Sequence, residues 1–273
     1  MRRGAVVPLF LALLLAGGAC GGGDGGGSAG DALAETAEKL GEIKSGDLFL
    51  RVVASSGENE LGFELDGPFA LAEDGKLPVA EIEYTQIAGS RRGTATFVST
   101  GDAAFVQVED ATYELPESEL GALRKAGGGG GGGGLGELRI DGWLDNPELS
   151  DGGDVGGAET DKIVADLDPV AAANDLLALI GRLQGDEATR LEGRSADQLE
   201  RAVESSSIEV YTGKDDRLLR RLVLEADFAA TLPEELEELT LPRAHFEFVL
   251  EIADPNKDVE VKAPDDAQPL PGS

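Results

Sequence analysis

The chain has 273 residues, with 53 acidic side chains against 23 basic ones and a single histidine, so its formal charge is -30. So acidic a surface argues against nucleic-acid binding, which needs a basic footprint, and against lying flat on an anionic lipid surface. A hydrophobic content of 41% supports a real core, and one cysteine leaves no disulfide within the chain.

The N-terminus reads as a secretory leader over residues 1–19. Arg2 and Arg3 give a positive start, Ala5 to Ala16 is apolar with Leu9, Phe10, Leu11 and Leu13 to Leu15 at its centre, and small residues lead to Cys20. The apolar run is about 12 residues, short of the roughly 20 that span a bilayer. The segment resembles a bacterial lipoprotein signal with its lipobox, with Gly17 where an aliphatic residue is usual. That predicts lipidation of the Cys20 thiol, cleavage before it, and a formal charge of -32 once Arg2 and Arg3 are lost. Residues 20–30 then form a glycine-rich tether with an r.m.s. span of roughly 17 Å.

From Asp31, expected as an N-cap, the 3–4 spacing of Leu33, Thr36, Ala37 and Leu40 predicts a helix. Between Leu48 and Glu109 the period changes to two. Alternating runs at Leu48–Ala54, Leu61–Leu65, Ile82–Tyr84, Ala95–Phe97 and Ala104–Val108, separated by Gly, Asn and Asp turns, predict an antiparallel meander. Pro116 to Ala126 reads as a short helix. The eight glycines of 127–134 read as a surface loop or a boundary between halves, because glycine loses most entropy on ordering. No Gly-Lys-Ser/Thr follows them, so they are no phosphate loop.

Further on, Asp145 to Gly157 is expected to be an acidic loop and Thr160 to Asp166 a strand. A helix follows Asp168-Pro169, carrying Leu176, Leu177, Ile180 and Leu183, and a second runs over 195–205 with Ser195 as its N-cap. Alternating strands contain Ile208–Thr212, Leu218–Phe228 and Ala244–Ile252. Lys257 to Lys262 is expected as an edge strand and residues 263–273 as a disordered tail. The predicted fold class is α+β, a large curled antiparallel sheet wrapped as a half-barrel around several helices, in one domain over residues 31–262. Two small domains split at the polyglycine are the alternative.

Residues suited to chemistry are sparse. His245 falls on the wet side of its strand with Glu247 and Glu251, so a histidine-activated nucleophile has little support. Zinc needs several His or Cys ligands. The carboxylates of the Asp145 to Asp161 stretch lack calcium-loop spacing. Carboxylate pairs for glycoside hydrolysis exist by count, but aromatic residues for a sugar platform make up only 5%. No catalytic residue, cofactor or metal is therefore assigned.

Cys20 with its tether, the helix DALAETAEKL, the strand GDLFLRVVASS, Gly142-Trp143-Leu144-Asp145-Asn146-Pro147, Val155 to Thr160, Ile208 to Tyr211 and Asp216 to Leu222 form a set of stretches. Together they resemble the LppX/LprG family of actinobacterial cell-envelope lipoproteins, whose wider relatives are the LolA-type carriers. The resemblance implies a half-barrel around helices, an apolar cavity for the acyl chains of a lipid or glycolipid, and a carrier role in the cell envelope without catalysis. It also implies anchorage to the extracytoplasmic face of the membrane through Cys20. Face assignment nominates Leu50, Val52, Phe63, Ile82, Tyr84, Phe97, Leu176, Ile180, Val210, Leu222, Leu224, Phe246 and Phe248 as the cavity lining. The rival reading is a tethered adaptor with a packed core and an envelope protein as its partner.

Overall fold

The computed structural model describes residues 28–71, 76–127, 138–184, 190–229, 232–233 and 243–270. Cys20, most of the tether and most of the polyglycine run lie outside these residues. Helix α1 (Ala29–Lys39) starts three residues before the expected point. Ser28, not Asp31, is the N-cap. Its hydroxyl accepts from the Asp31 N–H, and the Asp31 carboxylate accepts from the Ser28 N–H, a reciprocal capping box.

Among the described residues twelve strands make one sheet: β1 (Ser45–Ser56), β2 (Asn59–Ala70), β3 (Val79–Ala88), β4 (Arg91–Thr100), β5 (Ala104–Val108), β6 (Ala111–Glu114), β7 (Leu144–Val155), β8 (Ala158–Leu167), β9 (Val203–Gly213), β10 (Leu219–Phe228), β11 (His245–Ala253) and β12 (Gln268–Pro269). Their order is β12-β6-β5-β4-β3-β2-β1-β11-β10-β9-β8-β7. The sheet is open, and the expected curled α+β architecture holds. Strands from both sides of residues 127–134 share it, because β1 pairs with β11 over Asp47 to Ser55. It is mixed rather than wholly antiparallel. The tail residues Gln268 and Pro269 pair in parallel with Tyr113 and Glu114.

Three further expectations change. Asp145 to Gly157 is not a loop but strand β7 and its turn. Gly156 and Gly157 both take positive φ, 58° and 81°, and close a two-residue hairpin between Val155 and Ala158. As the sheet's outer edge, β7 can leave acidic side chains in water, and two register shifts absorb its irregular stretches. The helix expected at 195–205 is α4 (Arg194–Ala202), capped at Gly193, and Val203 already starts β9. Lys257 to Lys262 joins no ladder.

The two faces of the sheet differ in chemistry. The outer face carries a charge ladder: Arg51 donates to Glu247 at 2.9 Å and to Glu64, Lys162 to Glu209 at 2.7 Å, and Arg221 to Glu251. The inner face of β8–β11 is apolar and lies under α1, a 3-10 turn at Ile140–Gly142, and α3 (Pro169–Gln184). Ile163, Ile208, Val210, Leu222, Leu224, Leu250 and Ile252 pack there with Leu33, Leu40, Ile140 and Trp143. A buried hydroxyl pair, Thr36 to Thr212 at 2.8 Å, fixes α1 to β9. Trp143 is fully buried, and its indole N–H donates to Asp175 of α3 at 2.9 Å.

Candidate functional site: the uncovered inner face

Cover on the inner face is uneven along the sheet. None of the fully buried residues of the main core comes from β1–β6. Leu48, Leu50 and Val52 of β1 and Phe69 of β2 only lean against it, half-buried. Helix α2 (Glu117–Gly127) covers a separate corner, where Leu120 packs with Leu77 and Ala104.

Between these two cores the inner face of β2–β4 is partly open. Register places the residues directly. Leu50 stands opposite Leu65, which stands opposite Tyr84, then Ala95. Val52 stands opposite Phe63, then Gln86 and Gly93. Ala54 stands opposite Leu61, then Ala88 and Arg91. Ile82 and Phe97 pair at the far end of the strip. Leu61 is 36% exposed and Tyr84 37%, with Phe63, Leu65, Ile82 and Ala95 intermediate. The Phe63 and Tyr84 rings stack with centroids 6.1 Å apart. A side chain at Gly93 would meet no atom within 4 Å. The strip is thus apolar, aromatic at its centre and accessible, which suits hydrocarbon better than any polar substrate.

The nominated lining residues divide accordingly. Phe63, Ile82 and Tyr84 lie on the strip. Phe97 leans on the α2 corner. Leu50, Val52, Leu176 and Phe246 are half-buried at the margin of the main core, while Val210, Leu222, Leu224 and Phe248 are inside it. Ile180 is on α3, with its side chain outside the described residues. Leu61, Leu65 and Arg91 were not nominated. The first two carry the same two-residue period as Phe63. Arg91 reads as a turn residue in sequence, and only the pairing of β4 with β3 assigns it a face.

Elsewhere, a polar recess of ≈ 470 Å³ lies at one end of the sheet, among Ser55, Ser56, Glu204, Asp227, Arg243 and His245. Ser205 donates to one Asp227 oxygen at 2.6 Å, and His245 Nδ1 is 2.9 Å from the other. Those two hydrogen bonds, Ser205 first, hold the Asp227 carboxyl below its usual range. The aspartate stands between serine and histidine, so this trio lacks the serine–histidine contact that activates a nucleophile. Among the described residues no group of His, Cys, Asp or Glu could hold a metal ion. No described helix is long and apolar enough to cross a membrane.

No protein-family model and no curated protein sequence matches this chain. Among solved structures it is similar to LprF from Mycobacterium bovis, at 13% identity and a TM-score of 0.48, covering 87% of this chain and 99% of that one. It is similar also to the lipoprotein LppX of Mycobacterium tuberculosis, at 13% identity and a TM-score of 0.42, covering 86% and 98%.

Proposed function

We propose that the mature chain is held on the extracytoplasmic face of the membrane by acyl groups on Cys20, binds the acyl chains of a lipid or glycolipid, and carries them within the cell envelope without catalysis. The observation that supports this most is the partly exposed apolar strip of Leu61, Phe63, Leu65, Ile82 and Tyr84, beside a main core to which none of the five belongs. An acyl chain laid on the strip leaves one apolar phase for another, so its transfer has a small net free energy while water stays excluded. The anchor would stay put, since each buried methylene of its acyl groups contributes about 0.8 kcal/mol. The glycine-rich tether gives the strip reach to the bilayer.

The test uses residues 21–273 purified without detergent and extracted with organic solvent for mass spectrometry. Stoichiometric lipid is expected, together with its loss in a folded Tyr84→Asp variant. Folded protein that stays lipid-free, even after incubation with lipids of the native envelope, sinks the reading. The strip would then be the contact surface of a tethered adaptor.

A further inference from the structure

The charges on the inner face point to the kind of headgroup the strip would take, an inference that rests on the lipid-binding reading above. Strand register gives the inner-face positions of β1–β6. They are the even-numbered residues of β1 and β3, the odd-numbered ones of β2 and β4, then Ala104, Val106 and Val108 of β5 with Ala111 and Tyr113 of β6. One of them is charged, and it is Arg91. The outer face of the same strands carries Asp47, Arg51, Glu60, Glu64, Asp66, Glu81, Glu83, Arg92 and Glu114. In a chain where acids outnumber bases 53 to 23, the one charge among the described inner-face positions of these strands is a cation.

Arg91 is exposed, and no ion pair or hydrogen bond within the described residues occupies its guanidinium. Its neighbour Arg92 faces the other way and is occupied, by Glu60 at 2.8 Å and the Gly89 carbonyl at 3.2 Å. Arg91 closes the row that runs through Leu61 and Ala88. Beside it are the amide of Gln86 and the open floor over Gly93. From Arg91 to Phe97 the strand advances about 20 Å, a length suited to one extended acyl chain.

We infer that the strip takes an acyl lipid whose headgroup bears a phosphate anion, with Arg91 as the headgroup's partner at the β3–β4 turn and the acyl chain lying over Tyr84 and Phe63 towards Ile82. Guanidinium matches phosphate in charge and in the spacing of its donors. The protein as a whole, at -30, repels anionic lipid, so preference for it requires a local cation facing the ligand.

The experiment incubates residues 21–273 with vesicles of phosphatidylglycerol, phosphatidylcholine and diacylglycerol of one acyl composition. It then measures the lipids retained by the protein with native mass spectrometry. The parent protein is expected to enrich phosphatidylglycerol over diacylglycerol. Arg91→Glu should lower that ratio about tenfold, the scale of one charge-assisted hydrogen bond. Arg91→Lys should keep most of it, and Arg92→Glu, the same charge change on the outer face, should keep all of it. An unchanged ratio in a folded Arg91→Glu protein overturns the headgroup inference and leaves the lipid reading standing. A parent protein that retains none of the three lipids overturns both.

Discussion

Two leucines on the inner face, one under the helices and one outside them, should respond very differently to the same truncation. Leu222 of β10 is 0% exposed, amid Val210, Leu250, Ile208 and Leu224. Leu222→Ala removes about 2.4 kcal/mol of transfer free energy and leaves a cavity the helices above cannot close, so a loss of about 3–4 kcal/mol is expected. Leu61 of β2 is 36% exposed. Leu61→Ala forfeits about two thirds of the same transfer term, and solvent reaches the vacated space, so only about 1.5 kcal/mol is expected. Urea unfolding of both variants, with the slope checked for constancy, measures the two losses. The same preparations should show lipid retention reduced in Leu61→Ala and kept in Leu222→Ala wherever the latter is folded. Equal destabilisation would mean that the β2–β4 face is packed as tightly as the rest, and the argument for a binding strip would fail.

Ser28→Ala removes the hydroxyl that caps α1 and should cost about 1 kcal/mol in chemical denaturation, so a truncation starting at Asp31 should be less stable than one starting at Gly21. Asp175→Ala leaves the indole N–H of buried Trp143 without its acceptor and should cost about 1–3 kcal/mol, with Asp175→Asn milder because an amide oxygen can still accept. In a thermal scan against pH, stability should rise as the pH falls from 7 towards about 5, since the repulsion of a -30 chain is relieved. Below about 4 it should fall. Burial pushes the carboxyls of Asp175, Glu209 and Asp216 up, but hydrogen bonds outweigh it and leave all three below their usual range. The donors are Arg139 and Trp143 for Asp175, Lys162 and Tyr211 for Glu209, and the Leu218 N–H and Arg220 for Asp216. A carboxyl lowered by folding stabilises above its unfolded pKa, and that contribution is lost as pH falls through the folded value. Thermal stability that keeps rising below pH 4 would contradict these assignments.

The alternation of Leu48 to Ala54, Leu61 to Leu65 and Phe246 to Ile252 fixes both the strands and their inner faces, because a period of two can mean little else over such lengths. Strand β7 was illegible for the opposite reason. Its Asp and Gly content has low strand propensity, and what makes it a strand is the ladder offered by Thr160 to Leu167, which sequence order does not announce. The Ser28 cap was hidden by Asp31, a residue that caps as readily as serine. For the candidate site, period identified Phe63, Ile82 and Tyr84 but could not separate them from Leu222 or Val210, which have the same pattern. What separates them is which half of the sheet the helices cover, a tertiary fact carried by Leu33, Leu40 and Trp143 from distant parts of the chain.

That division has an energetic logic. An open apolar strip is affordable only if order does not depend on its burial. On β2–β4 the backbone is satisfied by the ladders themselves, which pair Leu61 to Asp66 with Glu83 to Ala88 and Val79 to Ala88 with Arg91 to Thr100. The strands therefore keep their geometry without a cover, at the cost of exposed hydrocarbon. The covered half offsets that cost: α1, the Ile140–Gly142 turn and α3 bury a continuous core against β8–β11. β1 joins the halves, with Leu50 opposite both Leu250 of the covered sheet and Leu65 of the uncovered strip. A ligand on the strip would bury surface that the fold has left open and would displace no core side chain. Binding then needs no unfolding step, and release needs only a competing apolar phase, such as the bilayer to which Cys20 would hold the protein.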